Sequence, residues 1–512
     1  MVRLSELVEA FGGACALGAD GGPEVRAVAL DSRAVERGTL FAALEGERAD
    51  GARFVPEAVA RGAPAVLAQR ALADAGVPLW VHPAARALVG PVAARLHGEP
   101  ARGMFVVGVT GTNGKTTVAH LAAQLLAHCG RRPGLIGTVG NTLADGVLQP
   151  ASHTTPDAPE LWRLIARHRE LGGDALVLEV SSHALAQSRT SGLAASVAIF
   201  TNLTRDHLDY HGTMQAYARA KQRLFESLAP DSAAVVHAGD PHSTLMAESA
   251  ARNGARVITY GVSEAETREE CTGSSEDLRA VRRSADLRGT SLTLSGMGFA
   301  GFGIQLPLLG RHNVENALAA TAAVLLSGAS PSTLVEGLAT VFPPPGRMER
   351  VPTGGRGFDL FVDYAHTEAA LDSALRVVRD AIEGSARTSA SAGEGRLLLI
   401  FGCGGERDRG KRAPMGRLAA ERADVAIVTS DNPRGEDPER IIAEILAGVR
   451  SGPARAEVQV EPDRRAAIRL GLSLARPGDA LLIAGKGHET EQVVGSRRIP
   501  FDDRAVAAQE LG

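Results

Sequence analysis

Brief apolar runs alternate along this chain with stretches of helical periodicity. Val106–Thr110, Ala175–Val180, Val197–Asn202, Leu397–Phe401, Val425–Thr429 and Ala480–Ala484 are such runs, each followed by glycine or polar residues and then a helical pattern. The alternation predicts strands covered on both faces and joined by crossover helices, an α/β fold with mostly parallel sheets. Two seams interrupt it. One is HGEPARGM, His97–Met104; the other is VFPPPGRME, Val341–Glu349, where three consecutive prolines remove backbone donors and stiffen the chain. They predict three domains, 1–102, 103–344 and 345–512. The polar segments Ser263–Arg288 and Gly384–Gly395 read as solvated loops or insertions, the second of low complexity. No internal repeat is visible.

Bulk properties narrow the classes. At 512 residues the chain is too long for one ordinary domain. A net charge of −4 gives no reason to expect general affinity for nucleic acid or anionic membrane. Cys15, Cys129, Cys271 and Cys403 lack CxxC spacing, which disfavours a zinc site or a disulfide framework and fits a reducing cytoplasm. Glu6 and Glu9 interrupt the N-terminal stretch where a signal peptide needs an apolar run, and no segment reaches the roughly 20 apolar residues of a membrane span.

The first chemistry lies in FVVGVTGTNGKTTVAH, Phe105–His120. A strand leads into a glycine-turned loop, and Lys115 opens a helix. Gly111 and Gly114 bring backbone N–H groups close to an anion, the Lys115 ammonium reaches terminal phosphates, and Thr116 offers a hydroxyl to magnesium. The strict GxxxxGK[ST] pattern fails by one register, since Gly108 precedes the required position. A nucleotide is indicated, but not the reaction.

Other clusters follow strands. Glu179 ends one, where a carboxylate can hold a metal or cap the next helix. FTNLTRDHLDYHGTMQAYARAKQRLF, Phe200–Phe225, carries His207 between Asp206 and Asp209, a metal ligand or phosphate partner. By pattern alone Lys221 reads as a surface lysine on a helix. GRHNVENALAATAA, Gly310–Ala323, starts a helix whose first turns suit adenine recognition or capping, and Arg347 sits at the second seam. VDYAHTEAAL, FGCGGERDRGKRAPMG, TSDNPRGEDPERI and AGKGHETEQ all follow strands of the last third, and such loops share one cleft in open α/β sheets. Asp437-Pro438 predicts a helix start.

The ordered set TGTNGKTT, HTTPDA, EVSSHAL, FTNLTRDHLDYHG, AKQRLF, GRHNVENALAA, PGRME, VDYAHT, FGCGGERDRGKR, SDNPR and AGKGHE resembles the Mur ligase family, whose ATP-dependent members add amino acids to the cytoplasmic peptidoglycan precursor. The displaced glycine of the phosphate loop is the family's own form. The resemblance implies a UDP-binding N-terminal domain, a central ATPase and a Rossmann-like C-terminal domain that brings the amino acid. It implies carboxylate activation by ATP to an acyl phosphate, amine attack, and domain closure. Gly111, Thr112, Asn113, Gly114, Lys115, Thr116 and Thr117 would cradle ATP, with Asn316 and Arg347 on the nucleotide. Thr116 and Glu179 would hold one Mg2+ and His207 a second. Lys221 takes the place of a carbamylated lysine, reversing the surface reading, and Lys115, His207, Lys221 and Arg347 form the catalytic set. Leu30, Ser32, Arg48, Thr154, Thr155, Ser181, Gln187 and Arg189 match positions that bind the UDP-muramoyl dipeptide.

The DNPR form of SDNPR resembles members that add meso-diaminopimelate rather than L-lysine. Arg434 would grip the extra carboxylate bidentately, and Arg407, Asp431, Asn432, Pro433, Gly485 and Glu489 would complete the pocket, Glu489 facing an ammonium. The implied partners are therefore small molecules, and the implied enzyme is a cytoplasmic monomer. Rival readings are the L-lysine-adding version, a folylpolyglutamate synthetase, and a catalytically silent precursor-binding scaffold. A guanine-reading NKxD is absent, which disfavours a GTPase.

Overall fold

The computed structural model describes residues 1–46, 49–263, 277–388, 395–452 and 455–512. Arg48 and Cys271 lie outside the described residues, as do 264–276 of the first polar segment and 389–394 of the second. The chain divides into two compact units, Met1–Thr259 with Ala319–Ala329, and Tyr260–Leu318 with Ser330–Gly512.

In the first unit, the N-terminal strands form a five-stranded sheet in the order Ala14–Cys15, Leu79–Val81, Val66–Ala68, Thr39–Ala43, Ala27–Ala29. All its pairs but the first are parallel. A second sheet runs Leu148–Gln149, Gly140–Thr142, Pro133–Gly137, Ala175–Glu179, Phe105–Thr110, Val197–Phe200, Ala233–His237. Its inner pairs are parallel, and Phe105–Thr110 lies between Ala175–Glu179 and Val197–Phe200. Central strands buried on both faces need continuous apolar runs; Val106, Val107, Val109, Leu176, Val177 and Ile199 are all at most 1 % exposed.

His168, on the helix Ala158–Glu170, is fully buried. Its Nδ1 accepts from the Ala144 N–H at 3.1 Å and its Nε2–H donates to the Ala175 carbonyl at 2.8 Å, so the neutral ring satisfies both contacts. Burial, ahead of the nearby charges, pulls its pKa below the usual imidazole value. The unfolded chain therefore binds a proton that the folded one refuses. The stabilisation is fully present above about pH 6.5 and is lost as pH falls through the depressed native value, with a slope of at most about 1.4 kcal/mol per pH unit. Urea melts of the wild type and His168→Gln at pH 7 and 5.5 check this: the variant should be less stable at pH 7 and should lose less on acidification.

In the second unit, the end of the strand Arg256–Ser263 pairs in parallel with Leu278–Val281. Leu278–Asp286, Gly289–Gly296 and Phe299–Leu306 then form an antiparallel meander. Residues 278–286, expected in a solvated loop, are thus a strand: Leu278, Ala280 and Val281 are buried, Arg279 and Arg282 are half-buried and Arg283 is exposed. Gly384–Thr388, also expected to be loop, continues the helix Glu368–Thr388, where Ala381 and Ile382 are buried and the Ser385 hydroxyl accepts from the Leu287 N–H at 3.0 Å.

The unit's other sheet has the order Glu349–Val351, Asp359–Asp363, Ala480–Ala484, Leu397–Phe401, Val425–Val428, Glu457–Val460, parallel except at its first pair. The carboxyl ends at Asp363, Ala484, Phe401 and Val428 are neighbours in register, so the loops that follow open on one edge. Asp437 caps the helix Pro438–Val449 by accepting from the Glu439 N–H. The Arg464–Asp503 pair, fully buried and bidentate at 2.7 and 2.8 Å, ties two helices together; Arg464 also donates to the Ser430 and Ala484 carbonyls behind these loops. Among the described residues no helix is long and apolar enough to cross a membrane.

Candidate active site

In the first unit the phosphate loop runs from the strand Phe105–Thr110 to the helix Lys115–His128. Gly111 has φ 150°, and a Cβ there would meet Thr201 Oγ1 at 1.8 Å. Gly114, at φ 85°, caps the helix in a conformation that costs a side chain free energy. Polar residues after the neighbouring strand hold the loop: the Asn113 N–H donates to Asn202 Oδ1 at 2.9 Å, and Thr201 Oγ1 donates to the Asn113 carbonyl at 2.6 Å. Thr112 Oγ1 meets the Tyr217 hydroxyl at 3.2 Å. Lys115 Nζ donates to the Gly111 and Thr112 carbonyls at 2.9 and 2.8 Å. Thr117, in the helix's first turn, is buried.

Thr116 Oγ1 donates to Glu179 Oε2 at 2.9 Å. Glu179 is fully buried at its strand end, and the Thr138 N–H and hydroxyl hold its carboxylate at 2.8 and 3.1 Å. Thr138 also meets Thr154 Oγ1 at 3.0 Å. Behind it, Thr155 Oγ1 donates to the Glu179 carbonyl and accepts from the Ser181 N–H. Arg189 donates to the Thr155 carbonyl at 2.8 Å and to Gln187 Oε1 at 3.0 and 2.7 Å. Thr154, Thr155, Ser181, Gln187 and Arg189 are thus one connected network reaching Glu179. Ser32 is buried and donates to Glu57 Oε2 at 2.8 Å, while Leu30 packs on the core.

Lys221 is 1 % exposed, not a surface lysine. Tyr217, Leu224 and Phe225 each lie one turn from it on the same buried face of the helix Met214–Glu226. Its Nζ donates to the Gly111 carbonyl at 2.7 Å and lies 4.5 Å from the centre of the Tyr217 ring. Desolvation first, then the Lys115 charge, holds this amine well below the usual lysine pKa. Burial likewise pushes the Tyr217 phenol up to about 12. His207 stands just before a short helix with φ 51°, half-exposed, its ring 4.9 Å from His183 and 6.0 Å from Tyr217.

Among the described residues no group of three or more His, Cys, Asp or Glu side chains assembles a metal cage. The fit is to a cation that takes few protein ligands and completes its shell with phosphate oxygens and water, the habit of Mg2+. Thr116 and Glu179, a hydroxyl and a carboxylate 2.9 Å apart, are residues that could hold it.

In the second unit, Asn316 is buried and donates to Asn313 Oδ1 at 3.2 Å. The Arg347 guanidinium lies over the Tyr364 ring at 4.8 Å. Asp363, half-buried at its strand end, accepts from the Met348 and Ala365 N–H groups at 2.7 and 2.9 Å; desolvation raises its pKa against the pull of Arg347.

The strand-end loops bring the expected amino-acid residues together. Arg434 has φ 51° and is fixed by its Nη1, which donates to the Gly405 carbonyl at 2.7 Å and the Asn432 carbonyl at 3.4 Å. No partner for its Nε and Nη2 occurs among the described residues, leaving one fork edge open. Asn432 Nδ2 donates to Glu489 Oε2 at 2.7 Å. Asp431 is buried, its pKa raised by desolvation; Gly485, at φ 117°, passes so close that a Cβ would meet Asp431 Oδ2 at 2.7 Å. Pro433 is buried and Arg407 is exposed in the facing loop. A buried Arg412, paired with Glu436 at 3.0 Å and Glu444 at 2.8 Å, ties that loop down by donating to the Gly404 carbonyl.

Four residues that sequence reading left unassigned belong to these clusters: Thr138, Tyr217, Tyr364 and Lys486. The last three sat inside stretches already singled out. Tyr217 had a signal in its i, i+4 spacing to Lys221.

Profiles of known families match the chain in order: "Mur ligase family, catalytic domain" over 24–94, "Mur ligase middle domain" over 109–324 and "Mur ligase, glutamate ligase domain" over 346–487. A UDP-N-acetylmuramoyl-L-alanyl-D-glutamate–2,6-diaminopimelate ligase of Geobacillus thermodenitrificans is 42 % identical over 499 residues, 95 % of each chain. The ligase of the same name from Alkalilimnicola ehrlichii is 42 % identical over 508 residues, again 95 % of each. A solved structure of a ligase with that name aligns with a TM-score of 0.70 and 34 % identity, covering 95 % of this chain and 94 % of its own.

Proposed function

The chain belongs to the Mur ligase family, and from that premise we propose that it joins meso-2,6-diaminopimelate to UDP-N-acetylmuramoyl-L-alanyl-D-glutamate, forming an amide while ATP becomes ADP and phosphate. One observation carries the acceptor assignment. Arg434 and Glu489, joined through Asn432, each keep an open edge, a cationic fork and an anionic oxygen. Such a pair fits an amino-acid end, and diaminopimelate has one at each terminus where L-lysine has one.

The chemistry follows from charge. A carboxylate is a poor electrophile. Phosphorylation of the D-glutamyl carboxylate masks its charge and creates a leaving group; the amine then adds to the carbonyl, and phosphate departs. Gly111 to Thr117 would hold the triphosphate, with Lys115 on the transferring group and Asn316 and Arg347 on the nucleotide. Bound Mg2+ would offset the repulsion between the two anions, held by Thr116 and Glu179 and, at a second position, by His207 and Lys221. The low-pKa Lys221 amine suits carbamylation. Its lone pair adds to CO2, an N–C bond forms, a proton leaves, and the site gains anionic oxygens in place of a repelling ammonium. Leu30, Ser32, Arg48, Thr154, Thr155, Ser181, Gln187 and Arg189 would bind the UDP-precursor. In this reading 1–102, 103–344 and 345–512 are the UDP-precursor, ATP and amino-acid domains of a cytoplasmic monomer acting on small molecules.

ADP release tests the proposal, with the UDP-muramoyl dipeptide and ATP present and meso-diaminopimelate, L-lysine or no acceptor added. The expected result is a kcat/KM for diaminopimelate at least about a hundredfold above that for L-lysine. Comparable turnover with L-lysine would overturn the acceptor assignment; no ADP with any diamine would overturn the ligase.

A further inference from the structure

Lys486 is fully buried beneath the proposed amino-acid pocket, and all three of its donors are engaged. Nζ donates to Asn432 Oδ1 at 3.3 Å, to Glu489 Oε2 at 3.2 Å and to the Glu491 carbonyl at 2.5 Å. Asn432 Oδ1 also accepts from the Val493 N–H at 2.9 Å. Two donors on one side decide which way the amide faces: Oδ1 toward Lys486 and Val493, Nδ2 toward Glu489. Glu489 Oε2 then receives both Asn432 Nδ2 and Lys486 Nζ, whereas Oε1 has no partner among the described residues and the side chain is 34 % exposed.

We propose that Lys486 is a positioning residue for the incoming amino acid: its buried ammonium locks the Asn432–Glu489 pair so that Glu489 Oε1 is left as an oriented acceptor for a substrate ammonium. The inference rests on the diaminopimelate reading of this pocket and adds a residue that does not touch substrate. Without the lysine charge, the carboxylate is free to rotate, the amide loses the donor that sets its direction, and Glu489 stands near buried Asp431 with less compensation.

A double-mutant cycle tests it, using the full-length enzyme and KM values for meso-diaminopimelate, ATP and the UDP-muramoyl dipeptide. Lys486→Met and Glu489→Gln should each raise the diaminopimelate KM about tenfold and leave the other two within about twofold. Because both remove the same oriented acceptor, K486M/E489Q should rise about tenfold to twentyfold, not the hundredfold of independent sites. Thermal melts establish that each variant folds; should K486M fail to, K486R and K486Q carry the same cycle. A multiplicative double mutant, an unchanged diaminopimelate KM, or equal rises in all three KM values overturns the proposal. Wild-type enzyme that turns over no diaminopimelate defeats the acceptor reading instead, so the two failures are distinguishable.

Discussion

A Lys221→Ala enzyme should form ADP about a thousandfold more slowly than wild type while melting within a few degrees of it. The argument starts from burial. For an amine that is 1 % exposed, close to Lys115 and hydrogen-bonded to the Gly111 carbonyl, desolvation first and then its neighbour's charge pull the pKa well below the usual lysine value, in favour of the neutral form. A neutral amine is the reactive form toward CO2, and the carbamate it yields is the kind of ligand that magnesium accepts. Removing it takes away an anionic ligand of the Mg2+ that would offset the repulsion between the phosphates and the D-glutamyl carboxylate, a loss on the order of 4 kcal/mol in the transition state, or a thousandfold in kcat. Folding loses little, because the deleted group is one whose burial opposes its own charge. Wild-type enzyme in CO2-stripped buffer should decline likewise and recover on adding bicarbonate, whereas Lys221→Ala should not respond. A variant keeping a tenth of wild-type kcat would end the carbamate role.

The second large effect is expected at Arg434. With Nη1 tied to Gly405 and Asn432, the guanidinium keeps the Nε–Nη2 edge for a carboxylate. Arg434→Met removes a charged, bidentate contact, and with it about 3–4 kcal/mol of recognition. Steady-state kinetics should show kcat/KM for meso-diaminopimelate falling several hundredfold, mostly through KM, with the preference over L-lysine collapsing toward unity and the ATP KM unmoved. Retained preference would mean that the discriminating cation lies elsewhere, and exposed Arg407 would be examined next.

Both residues also show what is legible in a sequence. Leu397–Phe401 and Ala480–Ala484 are recognisable to the residue, because strands covered on both faces must be apolar throughout. Val197–Asn202 reads two residues too long: the strand ends at Phe200, and Thr201 and Asn202 turn away to hold Asn113. Leu278–Asp286 escapes notice because its arginines mask the buried alternation of a meander strand. Lys221 misleads for a related reason. A long amine on a helix is usually wet, and only its spacing to Tyr217, Leu224 and Phe225 marks the apolar face it shares. Motif order locates the phosphate loop and the strand-end loops, but supporting residues such as Thr138 and Lys486 are defined by which carboxylate oxygen they reach, information that depends on side chains brought together from distant parts of the chain.

Arg434 also sits in the left-handed region, at φ 51°, where a side chain other than asparagine or aspartate is held against local preference. In the proposed pocket this strained backbone carries the guanidinium that would grip the substrate, so robustness would be surrendered where recognition is made. Selection for heat resistance alone would drift this position toward glycine or asparagine and blunt the enzyme's choice of partner, so tolerance to heat and fidelity to substrate pull in opposite directions at one residue.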